Sequence, residues 1–137
     1  TRAYRADEEA VERQGMELLE MVGLSEYALT KAGNLAYGTQ RKVEIARALA
    51  MKPEILLFDE PTSALDPELG AGVLSLIKEL SREDYTIFVV THNMSFAREV
   101  SEEVVFVEKG EILAKGSYDE LVNLHNDRIT QFLSYLD

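Results

Sequence analysis

The run Ile55-Leu56-Leu57-Phe58, followed at once by Asp59-Glu60, restricts the fold of this chain more tightly than any other segment. Four successive apolar residues without alternation suit a strand buried on both faces, as in a parallel sheet covered by helices. The two acids then stand at the carboxyl end of that strand. In open α/β sheets, ligands bind outside that edge.

The flanking sequence supports such a sheet. Asp7 to Val22 reads as an amphipathic helix, with Val11, Met16, Leu18, Leu19 and Val22 on its apolar side and Gly23 placed to end it. Leu24 to Leu35 is a connection. Gln40 to Met51 is a second helix, with Val43, Ile45, Ala46, Leu49 and Ala50 at helical spacing and Pro53 as its stop. Past the acidic pair, Asp66 and Pro67 are a good N-cap and first residue for a helix running to Leu80. A second buried strand spans Tyr85 to Thr91 and ends at His92, and a helix from Met94 to Val100 completes a strand–helix–strand–helix alternation.

The grammar then changes. Val104 to Val107 and Glu111 to Ala114 flank Glu108-Lys109-Gly110 as a β-hairpin. Ser117 and Glu120 form a capping box that starts a helix over Tyr118 to Leu124, and a last helix covers Arg128 to Leu136. The fold class expected is α/β. A helical subdomain segment occupies residues 1–52, and the C-terminal part of an α/β core occupies residues 53–137.

Composition removes several function classes. The 137 residues suffice for one compact domain. No apolar run approaches the ~20 residues needed to cross a bilayer, and no Lys/Arg-led apolar leader opens the chain, which points to the cytoplasm. Without cysteine there is no disulfide framework and no thiolate metal site. The net charge of −11 argues against a nucleic-acid groove. It does not argue against a nucleotide, which backbone N–H groups and a metal ion can hold. The opening on Thr1, without Met and in a charged stretch resembling mid-helix, suggests a fragment.

Adjacent carboxylates at a strand end allow a division of labour. Asp59 can hold Mg2+ through water, while Glu60 orients or deprotonates an attacking water. His92, at the end of the next strand, can hydrogen-bond a γ-phosphate. Either strand end alone fits equally well a plain N-cap acid pair or a loop histidine. The two together, in this order, favour the chemical reading.

These segments resemble the ATP-binding subunits of ABC transporters over nearly the whole chain. Asn34-Leu35-Ala36-Tyr37-Gly38-Thr39-Gln40-Arg41 resembles the family signature, and Ile55 to Glu60 the Walker B strand. Ser63-Ala64-Leu65-Asp66 is similar to the D-loop, and Val90-Thr91-His92 to the switch-histidine loop. The resemblance implies a partial P-loop NTPase-like fold and ATP with Mg2+ as ligands. It assigns Asp59 to the metal and Glu60 and His92 to catalysis. Gly38 and Thr39 would contact nucleotide on an opposite subunit, and Asp66 would lie at the dimer interface. It further implies a second ATP-binding subunit, a transmembrane permease and a peripheral place on the inner face of the membrane. Met16 and Leu18 to Met21 would then belong to the surface facing the permease, although a plain core face explains them equally.

The sequence also departs from the family. Ala36 lacks the hydroxyl of the usual Leu-Ser-Gly-Gly-Gln signature, and Tyr37 replaces its first glycine. The Leu-x-Tyr-Gly form resembles the branched-chain amino acid uptake branch, whereas Asp59 to Leu69 and Thr91 to Ser101 resemble the polar amino acid branch. No Gly-x-x-x-x-Gly-Lys-Ser/Thr occurs, and the glutamine loop and adenine-stacking aromatic that precede the signature in relatives are also missing. The expectation is a subunit of an amino acid importer whose isolated chain is inactive. Uncovered sheet edges should make it self-associate or bind a partner. The alternatives are a non-catalytic interaction module derived from such an ATPase and, more remotely, a non-transport ABC ATPase.

Overall fold

The computed structural model describes residues 2–134, with side chains from residue 7 onward, as two compact units divided after Val90. In the first unit, helix α1 (Arg2–Met21) ends as its sequence requires. Gly23 takes a left-handed φ of 69°, its N–H donates to the Glu20 carbonyl, and the Leu24 N–H donates to Leu19. That is a Schellman ending, and it turns Val22 and Leu24 into the core. The connection holds two 3-10 turns, Ser25–Tyr27 and Ala32–Asn34.

Helix α2 (Tyr37–Ala50) buries Ile45, Ala46 and Leu49 on one face. It starts three residues earlier than the Gln40 expected, so Gly38 lies inside the first turn and not in front of the helix. The reason is local. Ala36 is extended (φ −60°, ψ 150°) and acts as the N-cap, and first-turn N–H groups need no intrahelical acceptor, so glycine costs little there.

Strands β1 (Ile55–Asp59) and β2 (Thr86–Val90) pair in parallel, from Ile55 opposite Thr86 to Asp59 opposite Val90. Parallel strands need a crossover, and α3 (Pro67–Leu80) supplies it. Its apolar stripe of Val73, Leu76, Ile77 and Leu80 is almost wholly buried, which stabilises the unit by roughly 1.5–3 kcal/mol per side chain. The expectation of strands buried on both faces is not met. Leu56 is buried, but Ile55, Leu57, Phe88 and Val90 are 60%, 70%, 58% and 53% exposed. Among the described residues this sheet has two strands, and only one of its faces is covered.

In the second unit, α4 (Met94–Val100) is capped by Asn93, whose Oδ1 accepts the Phe96 N–H at 2.9 Å. Strands β3 (Val104–Glu108) and β4 (Glu111–Gly116) form the expected antiparallel hairpin, with a bulge at Phe106/Val107. Its two-residue turn, Lys109-Gly110, has φ of 52° and 82°, the doubly positive geometry that matches strand twist. Helices α5 (Tyr118–Asn123) and α6 (Asp127–Ser134) follow, burying Leu121 and Ile129. Phe132 meets Phe106 edge to face at 5.2 Å. The remainder of the expected last helix, like Thr1, lies outside the described residues.

The capping box at α5 is complete. The Ser117 hydroxyl accepts the Glu120 N–H, and the Ser117 N–H donates to the Glu120 carboxylate at 2.8 Å. That backbone bond, followed by the bond from the Ser117 hydroxyl, holds the Glu120 carboxyl below its ordinary value of 4.5. A lowered folded-state pKa adds stability that is full above the ordinary value and lost as pH falls through the folded one. Thermal melts should therefore show wild type losing its advantage over Glu120→Ala as pH drops below 4.5, while Glu120→Gln shows no such titration.

Candidate functional site

The carboxyl end of the parallel pair is built by backbone bonds. The Glu60 N–H donates to the Val90 carbonyl at 2.9 Å, extending the ladder one step beyond Asp59. The Glu60 carbonyl accepts the Ser63 N–H at 2.9 Å, and Glu60 itself has φ 43°. Left-handed backbone at a residue with a Cβ costs roughly 1–2 kcal/mol and survives only where the surroundings enforce it. Here the ladder on one side and the turn on the other do so. Asp59 is left exposed at the rim, whereas the Oε2 atom of Glu60 is shielded from solvent. Pro61, next in line, is buried.

The chain then passes through a second left-handed residue, Ala64 (φ 60°), to Asp66. As expected, Asp66 caps α3: one carboxylate oxygen, Oδ1, accepts the N–H groups of Glu68 at 3.1 Å and Leu69 at 3.0 Å. Asp59, the last residue of β1, and Glu60 and Asp66, which bound the seven-residue segment before α3, thus lie on one continuous turn.

The signature-like segment sits at the start of α2. Ala36 offers no side-chain cap to the first N–H groups of the helix, which carry the positive end of its dipole. The Gln40 amide donates back to the Leu35 carbonyl at 2.8 Å and fixes the approach of the chain. Tyr37 is half exposed, with the Arg41 guanidinium 5.6 Å from its ring centroid. Arg41 Nη1 donates to Glu44 Oε2 at 2.8 Å, and that bond raises the Arg41 pKa.

His92 belongs to the second unit. It is exposed, in the Thr91-His92-Asn93 turn, where Thr91 Oγ1 accepts the Asn93 N–H at 3.0 Å. Sequence reasoning missed two participants. Leu69 touches Gly38, and the only hint was its position three residues after the cap, on the inner side of an amphipathic helix. The inverted backbone of Glu60 had no sequence signal at all, since glutamate does not favour it.

A metal fits this donor set only in company with a ligand. Among the described residues no three His, Asp or Glu side chains converge on one point. Mg2+, however, is commonly held by one or two carboxylates together with waters and substrate phosphates, which Asp59 can provide.

A family described as ABC transporter matches residues 2–63. A probable amino-acid ABC transporter ATP-binding protein of Sinorhizobium fredii is 49% identical over 127 residues, covering 91% of this chain and 49% of that protein. The glutamine transport ATP-binding protein GlnQ of Escherichia coli is 43% identical over 136 residues, 98% of this chain and 57% of its own length. Among solved structures, an ATP-binding cassette of an ABC transporter in its ADP conformation superposes with a TM-score of 0.76 at 25% identity, over 88% of this chain and 48% of that one. CbiO1 of Clostridium perfringens gives 0.76 at 26% identity, over 93% and 55%. The chain spans about half the length of the curated relatives it matches.

The Asp66 cap is testable in the chain itself. Asp66→Ala should lower unfolding stability by about 1 kcal/mol in denaturant titrations, and Asp66→Asn by much less, because the amide oxygen can still accept.

Proposed function

Because this chain belongs to the ATP-binding proteins of ABC transporters, we propose that it forms the Walker B, D-loop and signature portion of a subunit that hydrolyses ATP to drive amino acid import. The observation that carries this reading is the turn after β1, with Asp59 exposed at the rim and Glu60 held in a left-handed conformation beside it. The named relatives are amino-acid and glutamine transport ATP-binding proteins, which favours amino acids as the substrate class.

ATP with Mg2+ supplies the phosphoryl group to be transferred and the cation that neutralises its charge. Asp59 helps hold the cation. Glu60 orients a water and accepts its proton, a task for which a fixed, partly shielded carboxylate is suited. His92 hydrogen-bonds the γ-phosphate and responds to its loss. Gly38 and Thr39, at the positive end of α2, serve the nucleotide of a second ATP-binding subunit, and Asp66 belongs to the same interface. Residues 1–52 act as the helical subdomain toward a transmembrane permease, and residues 53–137 as part of the catalytic core. The complex works at the cytoplasmic face of the membrane. Among the described residues no helix is long and apolar enough to cross a membrane.

No Gly-x-x-x-x-Gly-Lys-Ser/Thr segment lies in this sequence, so the backbone cradle for the β- and γ-phosphates must come from elsewhere in the subunit. On its own the chain neither binds ATP tightly nor turns it over. A second reading, a non-catalytic docking module, draws on the open face of β1 and β2. The exposed Ile55, Leu57, Phe88 and Val90 demand a cover, from the rest of the subunit or from another molecule.

In the full-length subunit containing this chain, Glu60→Gln should retain ATP binding while hydrolysis falls by about 10²–10⁴-fold, the usual contribution of a positioned base. Unchanged turnover removes Glu60 from that role. The isolated chain should self-associate in light scattering, and Leu57→Asp with Phe88→Asp should reduce that association. A strictly monomeric wild-type chain would contradict it.

A further inference from the structure

Gly38 is buried although it lies in the first turn of α2, where a helix end normally meets solvent. Its cover is Leu69. A Cβ placed on Gly38 would stand 2.9 Å from Leu69 Cβ, 2.9 Å from Cδ1 and 3.0 Å from Cδ2. The first of these distances matters most. A side-chain tip can swing aside, but a Cβ is fixed by its backbone, so any residue larger than glycine at 38 must push α2 and α3 apart.

Leu69 is at the same time bound to the cap. Its N–H donates to Asp66 Oδ1 at 3.0 Å, while its side chain packs on Gly38. One turn of contacts further strengthens the connection. The Gly70 N–H donates to the Asp66 carbonyl at 2.9 Å, and the Gly70 Cα faces Thr62, whose side chain would meet an added Cβ at 3.6 Å. The Glu60–Asp66 turn, the first turn of α3 and the first turn of α2 are therefore one packed body. Ala36 gives α2 no side-chain cap, and the Leu69 contact, being apolar, fixes the position of that helix end without accepting its N–H groups.

We infer that Leu69 is a positioning residue that couples the Asp66 turn to the signature-bearing end of α2, through its side-chain contact with Gly38. The inference rests on the proposed function for what the two elements serve, but not for the contact itself. It also accounts for the departure at Tyr37. That position is 49% exposed and admits a large ring, whereas position 38 faces Leu69 and has no room even for a methyl group. In a dimer the two elements would approach the neighbouring nucleotide as a unit, so loosening Leu69 should misalign both together.

The test uses Gly38→Ala, Leu69→Gly and the double variant in the full-length subunit containing this chain. Gly38→Ala should reduce kcat about tenfold or more, with the KM for ATP within about twofold, because small misplacements of positioned groups reduce rates steeply. The double variant should recover to about the level of Leu69→Gly alone, since only glycine at 69 removes the Cβ as well as the branch that the new methyl meets. Gly38→Ala activity equal to wild type, or a double variant as impaired as Gly38→Ala, overturns the inference. The latter result would place the methyl group's harm at the nucleotide and not at Leu69. Hydrogen exchange on the isolated chain gives an answer independent of ATPase chemistry. Leu69→Ala should speed exchange of the amides of residues 40–42 about tenfold while those of residues 76–80 stay protected. Equal protection at 40–42 in both proteins also overturns it. Failure of the catalytic reading would appear instead as a Glu60→Gln subunit with normal turnover.

Discussion

Two five-residue strands, β1 and β2, run parallel with Asp59 level with Val90, and the site depends on that pairing. A parallel pair cannot be closed by a tight turn, so the chain must leave β1, cross over through α3 and return. The turn that begins this crossover carries Asp59, Glu60 and Asp66. Its shape follows from where it is tied: Glu60 to Val90 at one end, Asp66 to the first N–H groups of α3 at the other. The positive φ angles of Glu60 and Ala64 are the local cost of fitting the segment between those fixed points.

Most of the first unit's buried apolar surface lies on α3, α2 and the end of α1. Val73, Ile77 and Leu80 are the most completely buried side chains. The sheet contributes chiefly Leu56, and its other face is open. This imbalance is physical information about the chain's setting. A four-residue apolar run such as Ile55 to Phe58 is the composition of a strand with neighbours on both faces, and here half of its surface meets water. The sequence is therefore written for more structure than these residues supply, which agrees with its spanning about half the length of its relatives.

The second unit stands on more local rules. Asn93, Ser117 and Asn126 each accept N–H groups at a helix start, and the hairpin turn is made by two residues with positive φ. None of these features needs a distant partner. They are the features that sequence reasoning located most closely, with α4 matching its expected ends of Met94 and Val100.

By itself, then, the sequence determined what short-range chemistry can encode. It marked the β1 strand and its acids, the Asp66 cap with Pro67 behind it, the glycine stop after α1, the capping box and the hairpin. Each depends on residues within about one turn of each other, where side-chain and backbone preferences act without long-range help. The motif order Gly38, Asp59-Glu60, Asp66 and His92 was legible for the same reason. Tertiary structure alone decided the rest. It set the first turn of α2, at Gly38, against Leu69, thirty-one positions away. It inverted the backbone of Glu60 between a ladder and a turn. It also left one face of the sheet bare, since burial depends on how many strands and helices are present to cover a surface, which a local pattern cannot count.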